Sequence, residues 1–244
     1  MSELISYGAG INSTALVILM VNDGWRGPIV FSDTESEWPE TMCYLDYFEQ
    51  KWLTPRGLEI TRLGGEWRDN SYKPSLIERC GAMSIVPFPA VRWCTVEYKV
   101  KPLHRYAEQH GITVQHLGIS ADESQRKPEA SRPLVDRWIT RQGCIEIIQA
   151  EGLDVPGKSS CFICPFQRDE QWRQLWRLHP DLFERAARLE EAATEKRGGR
   201  VVTLDYNGKT TLRDRQYRYE HQLSLLDDTQ WDELQAYRPC VCGI

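Results

Sequence analysis

The stretch Ser6-Tyr7-Gly8-Ala9-Gly10-Ile11-Asn12-Ser13-Thr14 constrains the fold of this chain more than any other. The apolar pair Leu4-Ile5 precedes it and the apolar run Ala15 to Met20 follows it, a pattern of buried strand, tight turn and helix. Gly8, Ala9 and Gly10 let the backbone turn sharply and approach a ligand, and Asn12 and Ser13 suit the start of a helix whose amides point into the turn. An oxyanion there meets unpaired N–H groups at the positive end of a helix dipole, so Tyr7, Gly8, Gly10, Asn12 and Ser13 form a candidate phosphate cradle. The lysine of a Walker loop and the full three-glycine dinucleotide fingerprint are both absent. Taken alone, such a turn is as often a plain connection in an α/β protein.

The 244 residues suit one large domain, or one domain with a sizeable appendage. No apolar run approaches the length of a membrane span and the first residues do not resemble a signal peptide, so a cytoplasmic protein is expected, with no membrane partner. A net charge of −5 argues against a grip on nucleic acid through bulk charge but leaves local basic patches open. Eight cysteines without an export signal point to metal ligands or reactive thiols rather than to a disulfide framework.

Further along, Pro28 to Phe31 reads as a second strand running into the acidic turn Ser32 to Glu35. A helix follows from Pro39, with Leu45, Phe48 and Trp52 on one apolar face. Leu58 to Leu63 reads as a third strand, and Gly64 to Arg92 as a long irregular loop with a short helix near Ser75 to Arg79. Tyr98 to His110 (helix), Val114 to Ile119 (fourth strand) and Thr140 to Glu151 (helix) complete an alternation that predicts an α/β fold, a Rossmann-like, mostly parallel sheet flanked by helices. Asp169 to Arg197 is helical, with Trp172, Leu175, Trp176, Leu182, Phe183, Ala186 and Leu189 facing a core. Its arginines alternate with acidic residues, as on a solvated face. Arg200 to Tyr206 is strand-like. The expected division is a nucleotide-binding domain over 1–165 and a helical region with a cysteine-bearing tail over 166–244. Cys43 falls on the second helix as a core residue, and the five histidines show no metal-ligand spacing.

Ligands of open parallel sheets bind beyond the carboxyl ends of the strands. The turn Asp33-Thr34 and the segment Gly118 to Arg126 join the glycine turn at that edge. Arg126 and Lys127 could neutralise phosphate oxygens, and Asp33 could hold Mg2+ or accept hydrogen bonds from a ligand. The plainer alternatives are that Asp33 caps the next helix and that Arg126 pairs with Asp122 or Glu123.

These residues resemble a known family. Gly8 to Ser13 is similar to the PP-loop, usually Ser-Gly-Gly-x-Asp-Ser, of the adenine nucleotide α-hydrolase-like enzymes, with Gly8 and Asn12 in place of its first serine and its aspartate. Asp33-Thr34 with Pro39-Glu40-Thr41, the segment Gly118 to Arg126, and Arg92-Trp93-Cys94-Thr95 with Lys99 and Pro102-Leu103 resemble motifs of phosphoadenosine phosphosulfate (PAPS) reductases. The likeness extends to Cys161-Phe162-Ile163-Cys164-Pro165 and is greatest to the PAPS-reductase-like proteins of phages and mobile elements. It implies that Lys99 and Arg126 stabilise charge on the nucleotide, with Asp33, Thr34 and Gly118 also in the binding site.

Cys161-x-x-Cys164 puts two thiolates within reach of one metal centre. Iron–sulfur reductases of the family carry a Cys-Cys pair where this chain has Cys94-Thr95, so the resemblance implies a [4Fe–4S] cluster on Cys94, Cys161, Cys164 and one further ligand. Cys144 is the first choice for that ligand and Cys80 the second; a three-ligand cluster with an open iron, a zinc site and ordinary buried thiols remain alternatives. PAPS reductases end in Glu-Cys-Gly-Leu-His, whose cysteine attacks sulfur. Here Cys242-Gly243-Ile244 matches in part, Val241 replaces the glutamate, and Cys240 and Cys242 are either reactive thiols or part of an inert tail.

Three functions follow from the resemblance. One is an ATP pyrophosphatase or sulfurtransferase that adenylates an acceptor, nucleic acid or small molecule, before sulfur transfer. Another is a thiol-dependent reductase of an adenylyl sulfate with Cys242 as nucleophile. The third is a non-catalytic nucleotide-sensing module of a phage or defence system. The expected partners are an adenine nucleotide, that acceptor, a thiol reductant or sulfur donor, and a second copy of the chain in a homodimer.

Overall fold

The computed structural model describes residues 2–69, 73–126 and 129–221. Its centre is a four-stranded, wholly parallel sheet in the order β3-β2-β1-β4. The strands are β1 (Glu3–Tyr7), β2 (Ile29–Ser32), β3 (Ile60–Leu63) and β4 (Val114–Leu117). Ile5 lies beside Ile29 on one side and His116 on the other, and Ile29 lies beside Ile60. The chain runs outward from β1 to β3 and then returns to place β4 on the far side of β1. Strand order therefore reverses between β1 and β4, where open α/β sheets form their ligand crevice.

Alternation along each strand fills both faces. Ile5, Tyr7, Ile29, Phe31 and Ile60 pack beneath α1 (Ile11–Asn22), α2 (Pro39–Phe48) and α7 (Arg141–Ala150), with Leu16, Val17, Leu45, Phe48 and Ile148 fully buried among them. Leu4, Val30 and Leu63 face the other way, onto Leu103 and Tyr106 of α5 (Lys101–Gln109). Pro39 stands in the first turn of α2, where a missing N–H costs nothing. Beyond Phe48 a π-helical turn, Glu49–Leu53, carries Trp52 into the same core, where it stacks on Phe48 at 5.5 Å. Cys43 corrects the sequence reading: the buried stripe of α2 is Thr41, Tyr44, Leu45 and Phe48, and Cys43 beside it is only half-buried.

The long loop after β3 contains α3 (Leu76–Met83), longer than expected and started by a capping box between Ser75 and Glu78. The three-residue α4 (Trp93–Thr95) runs through a π-helical turn, Val96–Val100, into α5. A short α6 (Pro133–Asp136) precedes α7, which Thr140 caps at Gly143 N. The helical stretch from Asp169 divides at His179, where Pro180 cannot donate a backbone hydrogen bond, into α8 (Asp169–Leu178) and α9 (Pro180–Lys196). Trp172, Leu175, Phe183, Ala186 and Leu189 form a second core with Trp38, Leu76, Tyr98 and Phe162. No helix among the described residues is long and apolar enough to cross a membrane.

Arg200 to Tyr206 is not a strand. The buried Glu190 of α9 takes the amides of Leu204 and Leu212 and the hydroxyl of Thr203, all within 3.0 Å, and Thr194 of α9 takes the Val202 amide at 2.9 Å, so α9 side chains meet polar groups that a neighbouring strand would otherwise pair. It leads to α10 (Leu212–His221). Burial raises Glu190 to about 7, against the pull of those three donors. The folded state therefore binds a proton more tightly than the unfolded chain. The stability this supplies is complete below the ordinary carboxylate range and is lost as pH rises through about 7. Urea unfolding at about pH 5 and pH 8 is expected to show the wild type losing roughly 2 kcal/mol more than Glu190→Gln across that interval.

Candidate functional site

Three turns meet at the carboxyl edge of the sheet, and a fourth segment folds back over them. After β1, Ala9 adopts a left-handed φ of 52° and Gly10 stands at the start of α1. The amides of Gly8 and Gly10 both donate to Ser13 Oγ at 3.2 Å, and that hydroxyl donates to the Gly10 carbonyl at 3.0 Å. Two loop N–H groups thus converge on a single oxygen, beside first-turn amides that have no intrahelical acceptor. Tyr7 enters this cradle only through its backbone: its ring is buried against Phe48, and its hydroxyl meets Thr14 Oγ1 at 3.2 Å. Burial raises the Tyr7 phenol above its usual range.

The turn after β4 presses against the same helix start. A Cβ on Gly118 would lie 2.6 Å from Ser13 Cα and 2.7 Å from Ser13 N, so only glycine lets the two backbones approach this closely. Asn12 Nδ2 donates to Ser120 Oγ at 3.1 Å across the crevice, while Asn12 Oδ1 is buried without a partner among the described residues. Arg126 does not reach the crevice through a free charge; it pairs with Glu123 at 2.8 Å, the plainer of the two expectations. Asp122 accepts the Arg141 amide at the start of α7.

After β2, Asp33 Oδ1 accepts the Glu35 amide at 2.6 Å, so it shapes its own turn and does not cap α2. Burial, then the nearby Glu37 and Glu35, hold Asp33 above the usual carboxylate range despite that bond and Arg68. The buried Arg68 donates to the Asp33 carbonyl at 2.5 Å and to the carbonyls of Lys73 and Pro74, and stacks over Tyr98 at 4.7 Å. It ties the post-β2 turn to the loop leading into α3.

Glu37 is the hub of this part of the site. Its Oε1 accepts from Lys99 at 3.0 Å, from Thr34 Oγ1 at 3.0 Å and from Cys161 Sγ at 3.6 Å. Desolvation works against the charge of Lys99, but the Glu37 carboxylate outweighs it and holds the amine above its ordinary range. Residues 158–164 are stitched beside this hub. Trp38 N donates to the Ser160 carbonyl and Phe162 N to the Ser36 carbonyl, both at 3.0 Å. Ser159 of this segment lies over the glycine turn, its Oγ 2.8 Å from where a Cβ on Gly10 would stand.

Cys80, Cys94, Cys161 and Cys164 lie in one apolar cluster. Burial is the main cause that raises each thiol, Cys80 to about 12, and Glu37 pushes Cys161 up further. Cys144, the first choice for a fourth ligand, lies elsewhere: α7 packs along α1 and turns this thiol into the core beneath the sheet with Leu16 and Ile148. Cys80 is the fourth thiol that the structure places with the other three. Four soft sulfur donors suit a thiolate-ligated metal, although no three candidate ligands among the described residues converge with ligand geometry. Cys240 and Cys242 lie outside the described residues, as does Lys127.

Glu37, Arg68, Ser120 and Ser159 were not singled out from the sequence. Glu37 lies two residues beyond the acidic turn Ser32 to Glu35, Ser120 lies within the segment Gly118 to Arg126, and Ser159 lies just before Cys161; nothing local marks Arg68.

A parallel sheet flanked by helices, with a glycine turn at its switch point and buried thiols beside it, defines an α/β protein of Rossmann-like fold. A model of the phosphoadenosine phosphosulfate reductase domain matches residues 3–148, more than half of the chain. The chain belongs to that family. Among solved structures it is similar to phosphoadenylyl-sulfate (PAPS) reductase from Candida auris, crystallised as a phosphate complex, at 15% identity. That likeness covers 64% of this chain and 75% of the other, with a TM-score of 0.44. No curated protein matches the chain.

The tight contact at Gly118 predicts that Gly118→Ala costs about 1–3 kcal/mol, because both opposing atoms are backbone and cannot rotate away. Gly10→Ala meets only the Ser159 hydroxyl, a movable group, and is expected to cost less. Urea midpoints of the two variants check this order.

Proposed function

We propose that this protein binds an adenine nucleotide, ATP or an adenylyl sulfate, with its phosphates at Gly8 to Ser13, and uses it in sulfur chemistry beside the thiols near Glu37. The observation that carries the reading is the convergence of the Gly8 and Gly10 amides on one oxygen at the start of α1. An incoming phosphoryl oxygen takes the place of the Ser13 hydroxyl and gains the helix dipole. Asp33 keeps one carboxylate oxygen outside its Asx turn for Mg2+, which would neutralise the phosphates.

In the pyrophosphatase reading, the acceptor's oxygen attacks the α-phosphate and pyrophosphate leaves. The loop amides and Lys99 stabilise the charge that builds there. Cys94, Cys161 and Cys164, with Cys80 as the fourth ligand, would hold a [4Fe–4S] cluster, which supplies a soft site for sulfide when bound. A ligating sulfur must be a thiolate, so Cys161, whose thiol donates to Glu37, would have to lose that proton for a cluster to be held there. Membership of the PAPS reductase domain family favours a second reading, in which the Cys242 thiolate attacks the sulfur of an adenylyl sulfate, the adenosine phosphate leaves, and an external thiol reductant then displaces sulfite from the resulting S-sulfonate with formation of a disulfide.

Calorimetric titration with ATP and with an adenylyl sulfate is expected to show binding that Gly10→Val abolishes while leaving the circular dichroism spectrum unchanged. Unaltered affinity in that variant would refute the cradle. Release of pyrophosphate from ATP supports the first reading and release of sulfite from adenylyl sulfate the second.

After anaerobic reconstitution, Cys80→Ser, Cys94→Ser, Cys161→Ser and Cys164→Ser are each expected to lower bound iron, while Cys144→Ser retains it. Loss of iron in Cys144→Ser with full iron in Cys80→Ser would reverse the assignment of the fourth ligand.

A further inference from the structure

Several surface arginines of this chain hold carboxylates: Arg126 holds Glu123, Arg137 holds Asp23, Arg188 holds Glu184, and Arg213 holds Glu184 and Glu191. A group beside the glycine turn does not. Lys158 Nζ donates only to neutral oxygens, the Phe166 carbonyl and Gln171 Oε1, both at 3.0 Å. Arg168 and Arg141 lie near enough to depress the Lys158 amine, after the larger effect of its partial desolvation. The Arg92 guanidinium lies over the Phe166 ring at 5.2 Å. Arg92, Arg141, Lys158 and Arg168 are all exposed, and none has a carboxylate partner among the described residues.

Three nearby carboxylates are engaged elsewhere. Asp122 accepts the Arg141 amide, and Asp169 and Asp205 hold Arg215. In a chain of net charge −5, this leaves a local concentration of unneutralised positive charge.

The same rim carries bare aromatic surface. Phe166 is 40% exposed and Tyr206 60%, and their ring centroids stand 5.5 Å apart at a tilt of 46°. A globular core would bury such rings; here they stay exposed, with the Arg92 guanidinium lying over Phe166. Cations that track a phosphate backbone, interleaved with open ring faces on which bases stack, are the features with which proteins hold single-stranded nucleic acid. Lys158 sets one end of the rim at the glycine turn, because the adjacent Ser159 lies over Gly10.

We propose that this rim binds a single-stranded nucleic acid, its bases stacked on Phe166 and Tyr206 and its phosphates on Arg92, Lys158 and Arg168. As the acceptor of the nucleotide-dependent reaction, the polymer rests on the adenine-nucleotide reading above; as a bound ligand it does not. A nucleotide's own phosphates would account for Lys158 but leave the ring pair and Arg92 unused.

Fluorescence anisotropy with labelled single-stranded RNA and DNA of ~12 nucleotides tests the rim, with ATP titrated separately by calorimetry. Phe166→Ala with Tyr206→Ala is expected to weaken oligonucleotide binding about tenfold with little change in salt dependence. Arg92→Gln and Arg168→Gln should each lower the slope of log K against log salt by about one. Arg26→Gln, at the opposite edge of the sheet, serves as the control for charge and should leave binding unchanged. The proposal is overturned if the wild type binds neither oligonucleotide, if the control weakens binding as much as the rim variants, or if the rim variants lose ATP while oligonucleotide binding persists. Absence of ATP binding by the wild type would sink the nucleotide reading alone, since the oligonucleotide titrations still decide the rim.

Discussion

The contact of Gly118 with the backbone of Ser13 is the constraint on which the carboxyl edge depends. It brings the end of β4 against the start of α1 at the place where strand order reverses. With the two backbones that close, Asn12 reaches Ser120 across the crevice. A larger residue at 118 would separate the strand from the helix, and a wider crevice would fill with water. Water would weaken every polar interaction at the edge through its high dielectric constant.

Two buried charged groups do comparable work around it. Arg68 gathers backbone carbonyls from the post-β2 turn and the loop before α3, which a hydrophobic residue of similar volume could not satisfy. Glu37 gathers its near neighbour Thr34 together with Lys99 and Cys161 from two distant parts of the chain. Each is a cross-link made of hydrogen bonds. Removing either would leave several polar groups buried and unpaired, the costly side of the hydrogen-bond balance. The second core then seats α8 and α9 over Trp38, Tyr98 and Phe162, so the helical region shares its packing with segments that also line the edge.

Most of the fold was legible in the sequence because it rests on local signals. Strand alternation, Pro39 at a helix start, the Ser75 cap and the glycine turn all act within a few residues. The failures share a cause in long-range contacts. Arg200 to Tyr206 alternates like a strand, but side chains of α9 meet its polar groups. Cys144 precedes Cys161 by a short loop, yet the helix that carries it turns the thiol toward α1. Cys80 is farther away in sequence and lies in the same cluster as Cys94. Spacing marks the pair Cys161 and Cys164 and says nothing of which remote thiol joins them. Within the candidate site, the residues of the glycine turn could be read directly, whereas Glu37 and Arg68 gain their importance from partners that only the folded chain brings near.

The Ser13 hydroxyl gives the glycine turn a placeholder of its own. In many anion sites the empty loop presents bare amides to water and gains their full pairing only when a ligand arrives. Here the amides of Gly8 and Gly10 are already paired, so an entering oxygen exchanges one acceptor for another and gains chiefly through its charge. That arrangement favours highly charged guests over neutral ones of the same shape.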